Sequence, residues 1–449
     1  MHRMLLYLVL FMVMTPALSF GQAKPTPGEH FLDEEALREA TQADAVDFYN
    51  SGVDALKENR LDEAISLFTR AIGLDARDHL SYNNRGVALK RKGLYDQAIE
   101  DYNRALEIKP DYAYALANRG TARYKKGDIE GAIADLTRAA KLKSRDSVIY
   151  TTLGIVLRDK GDLDGAIKDL RKAISLSKKN QRAYLALAQV HESRQDFDGA
   201  IAAYRKLIDI KAKGADVTPL KEKVKALEQA QAEDLYRRGL EQYRKENLND
   251  AIALWTRALK IAPDMVPALR DRGLTYDRVG KHANAVKDFT AALGKAPASA
   301  EIYRIRADAY YKLKKPDEAL QDYNKALQLN PSDAVGYNNR GLVYHERNEL
   351  ERALDDYNKA VSLDSGNPTF YENRALVRLA QGNMKAAVED YESALRLTKD
   401  EKLSERMRRR ISALREHIAE RDSEQPAQVP QVSDSAQSHP TTLNEKRYQ

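Results

Sequence analysis

The 449-residue chain has no cysteine. That absence excludes a disulfide framework, a thiol nucleophile, an iron–sulfur cluster, a cysteine-ligated zinc and a lipidated N-terminal cysteine. It assigns no compartment, because reducing and oxidising compartments both accept cysteine-free proteins. Net charge is also scarce: 73 Lys and Arg stand against 67 Asp and Glu, a balance of +6. So small an excess is poor support for nucleic-acid binding, and no nucleic-acid partner is expected. The eight histidines are scattered, with no two at metal-ligand spacing. There is no phosphate-cradling glycine loop, no nucleophile elbow and no dinucleotide fingerprint. The chain therefore reads as a non-enzyme without metal or cofactor. Its 43% hydrophobic content still suffices for a core.

Long apolar runs are confined to the N-terminus. His2 and Arg3 precede the uncharged run Met4 to Met14, Pro16 follows, and Ala17 and Ser19 supply small residues. This is the layout of a secretory signal over 1–21, with cleavage expected between Ser19 and Ala23. The run is short of the roughly 20 residues needed to cross a bilayer. Extension to Phe20 leaves an uncleaved anchor as the alternative. The mature chain is expected to lack an integral membrane span and to be exported, either periplasmic or secreted.

What the chain has in abundance is repetition. "YNNRG" at 82–86 returns at 337–341, and "DYNRAL" at 101–106 returns as "DYNKAL" at 322–327 and "DYNKAV" at 356–361. The period is 34 residues. Counted from Ala45, five repeats fill 45–214, a 17-residue spacer follows, and five more fill 232–401. Position 20 is Ala in every repeat, from Ala64 to Ala387, and position 8 is always Gly or Ala. Small residues at both places let two antiparallel helices approach closely. Positions 4 and 24 are always large, and a proline near position 32 (Pro110, Pro263, Pro297, Pro331) stops the second helix. Apolar spacings of three and four, with no alternating stretch, indicate helices only.

This pattern resembles the tetratricopeptide repeat (TPR) family: 34 residues, helix–turn–helix, small residues at positions 8, 20 and 27, and proline at 32. The resemblance implies an all-α solenoid of ten repeats in two five-unit arrays, wound as a right-handed superhelix. Residues 22–44 are expected to be a leader with a short helix. The spacer 215–231 is expected to be helical, either capping the first array or lengthening the helix that opens the second. Residues 402–421 carry the stripe Leu403, Met407, Ile411, Leu414 and Ile418, suited to capping the exposed apolar end. Its other face is basic, and 422–449 reads as a disordered tail.

Two further patterns stand out, the first better explained by structure than by function. Arg at position 7 and Asp at position 23 occur together in six repeats, which predicts a salt bridge between the two helices of one repeat, such as Arg85–Asp101 or Arg340–Asp356. The second comes from the resemblance, which implies a groove lined by positions 2, 5, 6, 9, 12 and 13. In the first array these include Tyr49, Asn50, Asn83, Asn84, Tyr114, Asn118, Thr121 and Tyr124. In the second they include Tyr236, Tyr243, Arg270, Asp277, Arg304, Asp308, Tyr311, Asn338, Asn339, His345 and Asn373. An asparagine amide both donates and accepts, which suits an extended peptide backbone. The carboxylate clamp of some family members is poorly matched: Asn84 fits its middle element, but Tyr49, Val53, Tyr114 and Asn118 surround it. The expected function is an exported scaffold or adaptor binding a peptide segment or folded protein. The alternative is an accessory subunit that recruits or regulates an envelope enzyme or transferase.

Overall fold

A helical hairpin of 34 residues cannot bury its apolar face alone, so successive hairpins stack. The computed structural model describes residues 34–211 and 215–424, which form 21 α-helices and, among the described residues, no strand. We call the first helix of each repeat A and the second B. In the first array the pairs are Glu34–Lys57 with Leu61–Leu74, His79–Arg91 with Tyr95–Ile108, Ala113–Lys126 with Ile129–Leu142, Ser147–Lys160 with Leu163–Leu176, and Gln181–Ser193 with Phe197–Lys211. In the second they are Thr218–Arg244 with Leu248–Ile261, Val266–Arg278 with His282–Lys295, Ala300–Lys312 with Pro316–Leu329, Ala334–Glu346 with Leu350–Leu363, and Pro368–Ala380 with Met384–Leu397. The chain divides into two compact units at Val224–Lys225.

All ten alanines at position 20 are fully buried. The position-8 glycines face the large residue at position 24 of the same repeat. A Cβ on Gly86 would lie 2.7 Å from the Tyr102 ring, so the ring would have to shift to admit one. Tyr102, Tyr357, Phe68 and Phe289 are completely buried there. In every repeat the residue at position 15, between the helices, has a positive φ. Five are glycines, and the others are Asn59, Gln195, Glu246, Lys314 and Asn348.

The paired arginines and aspartates meet in all six repeats. Nε and Nη2 of Arg85, Arg119, Arg272, Arg306, Arg340 and Arg374 donate to both oxygens of Asp101, Asp135, Asp288, Asp322, Asp356 and Asp390, at 2.7–3.0 Å. The third nitrogen, Nη1, reaches Thr or Asn at position 25 of the preceding repeat, at 2.6–3.1 Å. Each arginine thus ties its own A and B helices to the previous B helix. The six aspartates are buried, so this fork geometry also covers their desolvation.

The ends of the arrays differ from the sequence boundaries. Residues 34–44, part of the leader expected to carry a short helix, are helical and run unbroken into the A helix of repeat 1, with no Gly or Pro between Glu34 and Phe48. The spacer likewise continues from Thr218 into the opening helix of the second array, with Val224 and Leu227 buried. After repeat 10, helix Glu401–Glu424 buries Met407 and Ile411 against Tyr391 and Ala394. Its basic face is engaged within the chain: Arg406 meets Glu372, Arg410 donates to the Tyr391 hydroxyl at 3.0 Å, and Arg408, Arg409 and Arg415 pair with Glu401, Glu405 and Glu392. Residues 422–424, expected to belong to the tail, continue this helix, while the signal segment 1–21, residues 22–33 of the leader and residues 425–449 lie outside the described residues.

Candidate interaction surface

Within each unit, B helices pack against the A helix of their own repeat and of the next, and A helices of neighbouring repeats also touch one another. The A helices therefore form the inner side of each stack, which places positions 2, 5, 6, 9, 12 and 13 along it.

In the first unit the inner polar residues hold each other. Lys90 Nζ donates to Asn118 Oδ1 at 2.8 Å, and Asn118 Nδ2 to Asn83 Oδ1 at 3.1 Å. Asn83 Nδ2 donates to Asn84 Oδ1 at 3.0 Å, and Asn84 Nδ2 to the Tyr49 hydroxyl at 3.2 Å. This chain crosses three repeats. Asn83 is only 4% exposed, so its amide braces neighbours and does not face solvent. Tyr124 donates to Asp159 of the next repeat. Asn50 is exposed, and so is Tyr114, whose ring carries the Lys143 ammonium at 4.5 Å. Desolvation pushes the Lys90 ammonium down to about 8.

Position 2 of this unit presents an exposed apolar row, Val46, Leu80, Tyr114 and Val148. Three turns farther along the same A helices, positions 12 and 13 carry Lys57, Lys90, Arg91, Lys125 and Arg158. The acidic Asp159 and Glu192 on the same positions are already engaged by Arg158 and Lys223.

The second unit repeats the ladder with a carboxylate at its end. Asn373 Nδ2 donates to Asn338 Oδ1 at 2.8 Å, Asn338 to Asn339 at 3.0 Å, and Asn339 to Asp308 Oδ1 at 2.9 Å. Asn338 is 5% exposed and, like Asn83, is interior. Asp308 also accepts from the Tyr323 hydroxyl at 2.5 Å and from Arg304, whose Nε lies 3.2 Å from Asp333. Desolvation and then the neighbouring Asp308 charge raise the Tyr323 phenol, which keeps it a donor. Arg270 is held by Asp271, which also accepts from Tyr236 at 2.7 Å. Tyr311 donates to Glu346, and burial followed by that bond pushes its phenol up to about 12.

Across repeats 7–9 the inner side opens into a cleft of about 300 Å³. Leu274, Ile305, Leu342, Tyr311 and Tyr323 form its apolar and aromatic walls, and Asp277, Asp308, Lys312 and Asn339 its polar ones. Asp277 is bridged to Lys312 at 2.5 Å and to His282 at 2.7 Å. Four predicted groove residues, Asp277, Asp308, Tyr311 and Asn339, thus converge on one cavity. Sequence reasoning passed over Lys312 at position 13 and Leu274, Ile305 and Leu342 at positions 6 and 9. Tyr323 was hidden because its position 24 reads as core. Among the described residues, no three His, Asp or Glu side chains are grouped to hold a metal ion, and no helix is long and apolar enough to cross a membrane.

Models described as tetratricopeptide repeat or TPR repeat match residues 79–112, 151–215, 242–309, 307–346, 341–382 and 368–401, together more than half of the chain. The chain belongs to the tetratricopeptide repeat family. As a TPR protein it is a repeat scaffold for protein–protein interaction. No curated protein matches it in sequence. Among solved structures it is similar to the MamA protein, at 26% identity over 37% of this chain and 91% of that one, with a TM-score of 0.35. YrrB, a TPR protein with an unusual peptide-binding site, matches at 22% identity over 40% and 93%, with a TM-score of 0.34. Yeast Tom70 matches at 16% identity over 85% and 99%, with a TM-score of 0.38.

Proposed function

We propose that the protein is an exported adaptor that holds a peptide segment or folded protein partner against the inner side of its A helices. The cleft across repeats 7–9 supports this most directly. Its apolar walls offer burial for one large side chain, and its carboxylates, lysine and amide offer fixed hydrogen-bond partners around that chain. The asparagines act mainly through the scaffold: by bonding across repeats they fix the spacing of the A helices on which the cleft depends. Export rests on the N-terminal sequence alone, through the short basic start, the apolar run and the small residues after Pro16.

The test is crosslinked capture from the envelope fraction of the native host, using the mature chain, Leu274→Arg and Leu363→Arg. Both leucines are 37% exposed, so neither change disturbs a core, but only Leu274 lines the cleft. The proposal expects a partner that is lost with Leu274→Arg and kept with Leu363→Arg. A partner kept by both, or lost only with Leu363→Arg, would move the binding surface elsewhere.

A further inference from the structure

The arginine–aspartate ladder is interrupted in four repeats: repeats 1 and 5 carry neither residue, repeat 6 sets Arg238 opposite Leu254, and repeat 4 alone keeps the carboxylate without the arginine. Repeat 4 carries the position-23 carboxylate, Asp169, but position 7 is Leu153. The rest of the cradle is retained. Thr137 occupies position 25 of repeat 3, where Thr69, Thr256 and Thr290 accept from Nη1 in other repeats. Tyr150 occupies position 4, where Tyr82, Tyr303, Tyr337 and Tyr371 lie 5.5–5.7 Å from a guanidinium carbon. Leucine has no donor for any of these groups. Asp169 is half-buried and, among the described residues, forms neither an ion pair nor a hydrogen bond, and desolvation, outweighing Lys168, raises its carboxyl above the ordinary value. Beside it opens a cavity of about 350 Å³ lined by Thr137, Tyr150, Leu153 and Asp169. Lys141 and Lys168 stand on its rim, exposed to solvent.

We propose that Asp169, Thr137 and Tyr150 form a receptor for a guanidinium group supplied from outside the chain. The six complete rungs act as the template. In each, a planar fork bonds both carboxylate oxygens and one further acceptor, and a tyrosine at position 4 completes four of them. A lysine ammonium cannot make that set of contacts. The receptor is built from positions 4, 7, 23 and 25, so it is separate from the groove positions and does not depend on what the groove binds. An arginine side chain of a partner protein and a small guanidino compound present the same chemistry.

The full-length mature chain is titrated with agmatine, with an arginine-containing tetrapeptide and with its lysine counterpart, following the Thr137 methyl resonance. Saturable shifts with the guanidinium probes are expected, with the lysine peptide about tenfold weaker or worse. Asp169→Asn should weaken guanidinium binding by about tenfold or more. Leu153→Arg should abolish it and raise the melting temperature, since the chain then fills its own cradle. Tighter binding of the peptide than of agmatine assigns the site to a partner's arginine, and the reverse order to a small metabolite. Absence of any shift at millimolar probe, equal affinity for the lysine peptide, or binding unchanged in both variants would overturn the proposal.

Discussion

Arg340 and Asp356 form a two-pronged bridge, Nε to Oδ2 at 2.8 Å and Nη2 to Oδ1 at 2.7 Å, while Nη1 reaches Asn324 of the preceding repeat at 2.6 Å. Their side chains are 19% and 7% exposed, so water screens the pair only in part. Removing the arginine alone strands a buried carboxylate. Arg340→Met should therefore cost about 3–5 kcal/mol in a urea melt, while Arg340→Met combined with Asp356→Leu should recover most of that loss. Equal losses in the single and double variants would show that the bridge itself, and not the stranded charge, sets the cost.

The buried Asn83 links Asn118 of the next repeat to Asn84 beside it. Asn83→Ala should destabilise the first unit by about 1–3 kcal/mol, because two neighbouring amides lose a partner. Asn50→Ala, on the exposed surface of repeat 1, should stay within about 0.5 kcal/mol. Chemical denaturation of both variants decides between an internal ladder and a set of ligand-facing amides. A neutral Asn83→Ala would restore the second view.

Lys90 supplies a pH signature. Burial lowers its ammonium to about 8 from the ordinary 10.5, so the folded chain releases this proton before the unfolded chain does. Between those values the unfolded state binds more protons, and stability rises with pH. The benefit is complete above about 10.5 and is lost as pH falls through about 8. Wild type should gain stability relative to Lys90→Met across that window, measured by urea midpoints. Parallel pH profiles would contradict the assignment.

At position 15 the left-handed backbone favours glycine. Lys314, with φ of 60°, has a β-carbon that this conformation strains. Lys314→Gly should raise stability by about 0.5–1 kcal/mol in thermal melts. A loss of stability would mean that packing of the lysine stem outweighs the backbone relief.

Much of this organisation is legible in the sequence because it is written ten times. Ala at position 20 and Gly or Ala at position 8 announce helix contacts, and the joint occurrence of Arg85 with Asp101 or Arg374 with Asp390 announces their pairing. The asparagine ladders are less legible. Asn83 and Asn118 are 35 residues apart, and an amide beside an amide looks the same in sequence whether it faces a partner helix or a ligand. The left-handed turn is obscured where Lys314 or Glu246 stands in place of glycine. The cleft was half visible: Asp308, Tyr311 and Asn339 stand out as polar or aromatic groove residues, while Leu274 and Leu342 look like core. The helix from Thr218 was open between two roles, since an apolar stripe with a start signal fits a cap and an extension equally.

Site-specific photocrosslinking in the native host tests the binding account most directly. A photoreactive residue replaces Leu274 in the cleft in one strain and Leu363, on a B helix and equally exposed, in another. The account predicts a discrete crosslinked partner from position 274 and none from position 363. A partner captured only from position 363 would contradict it.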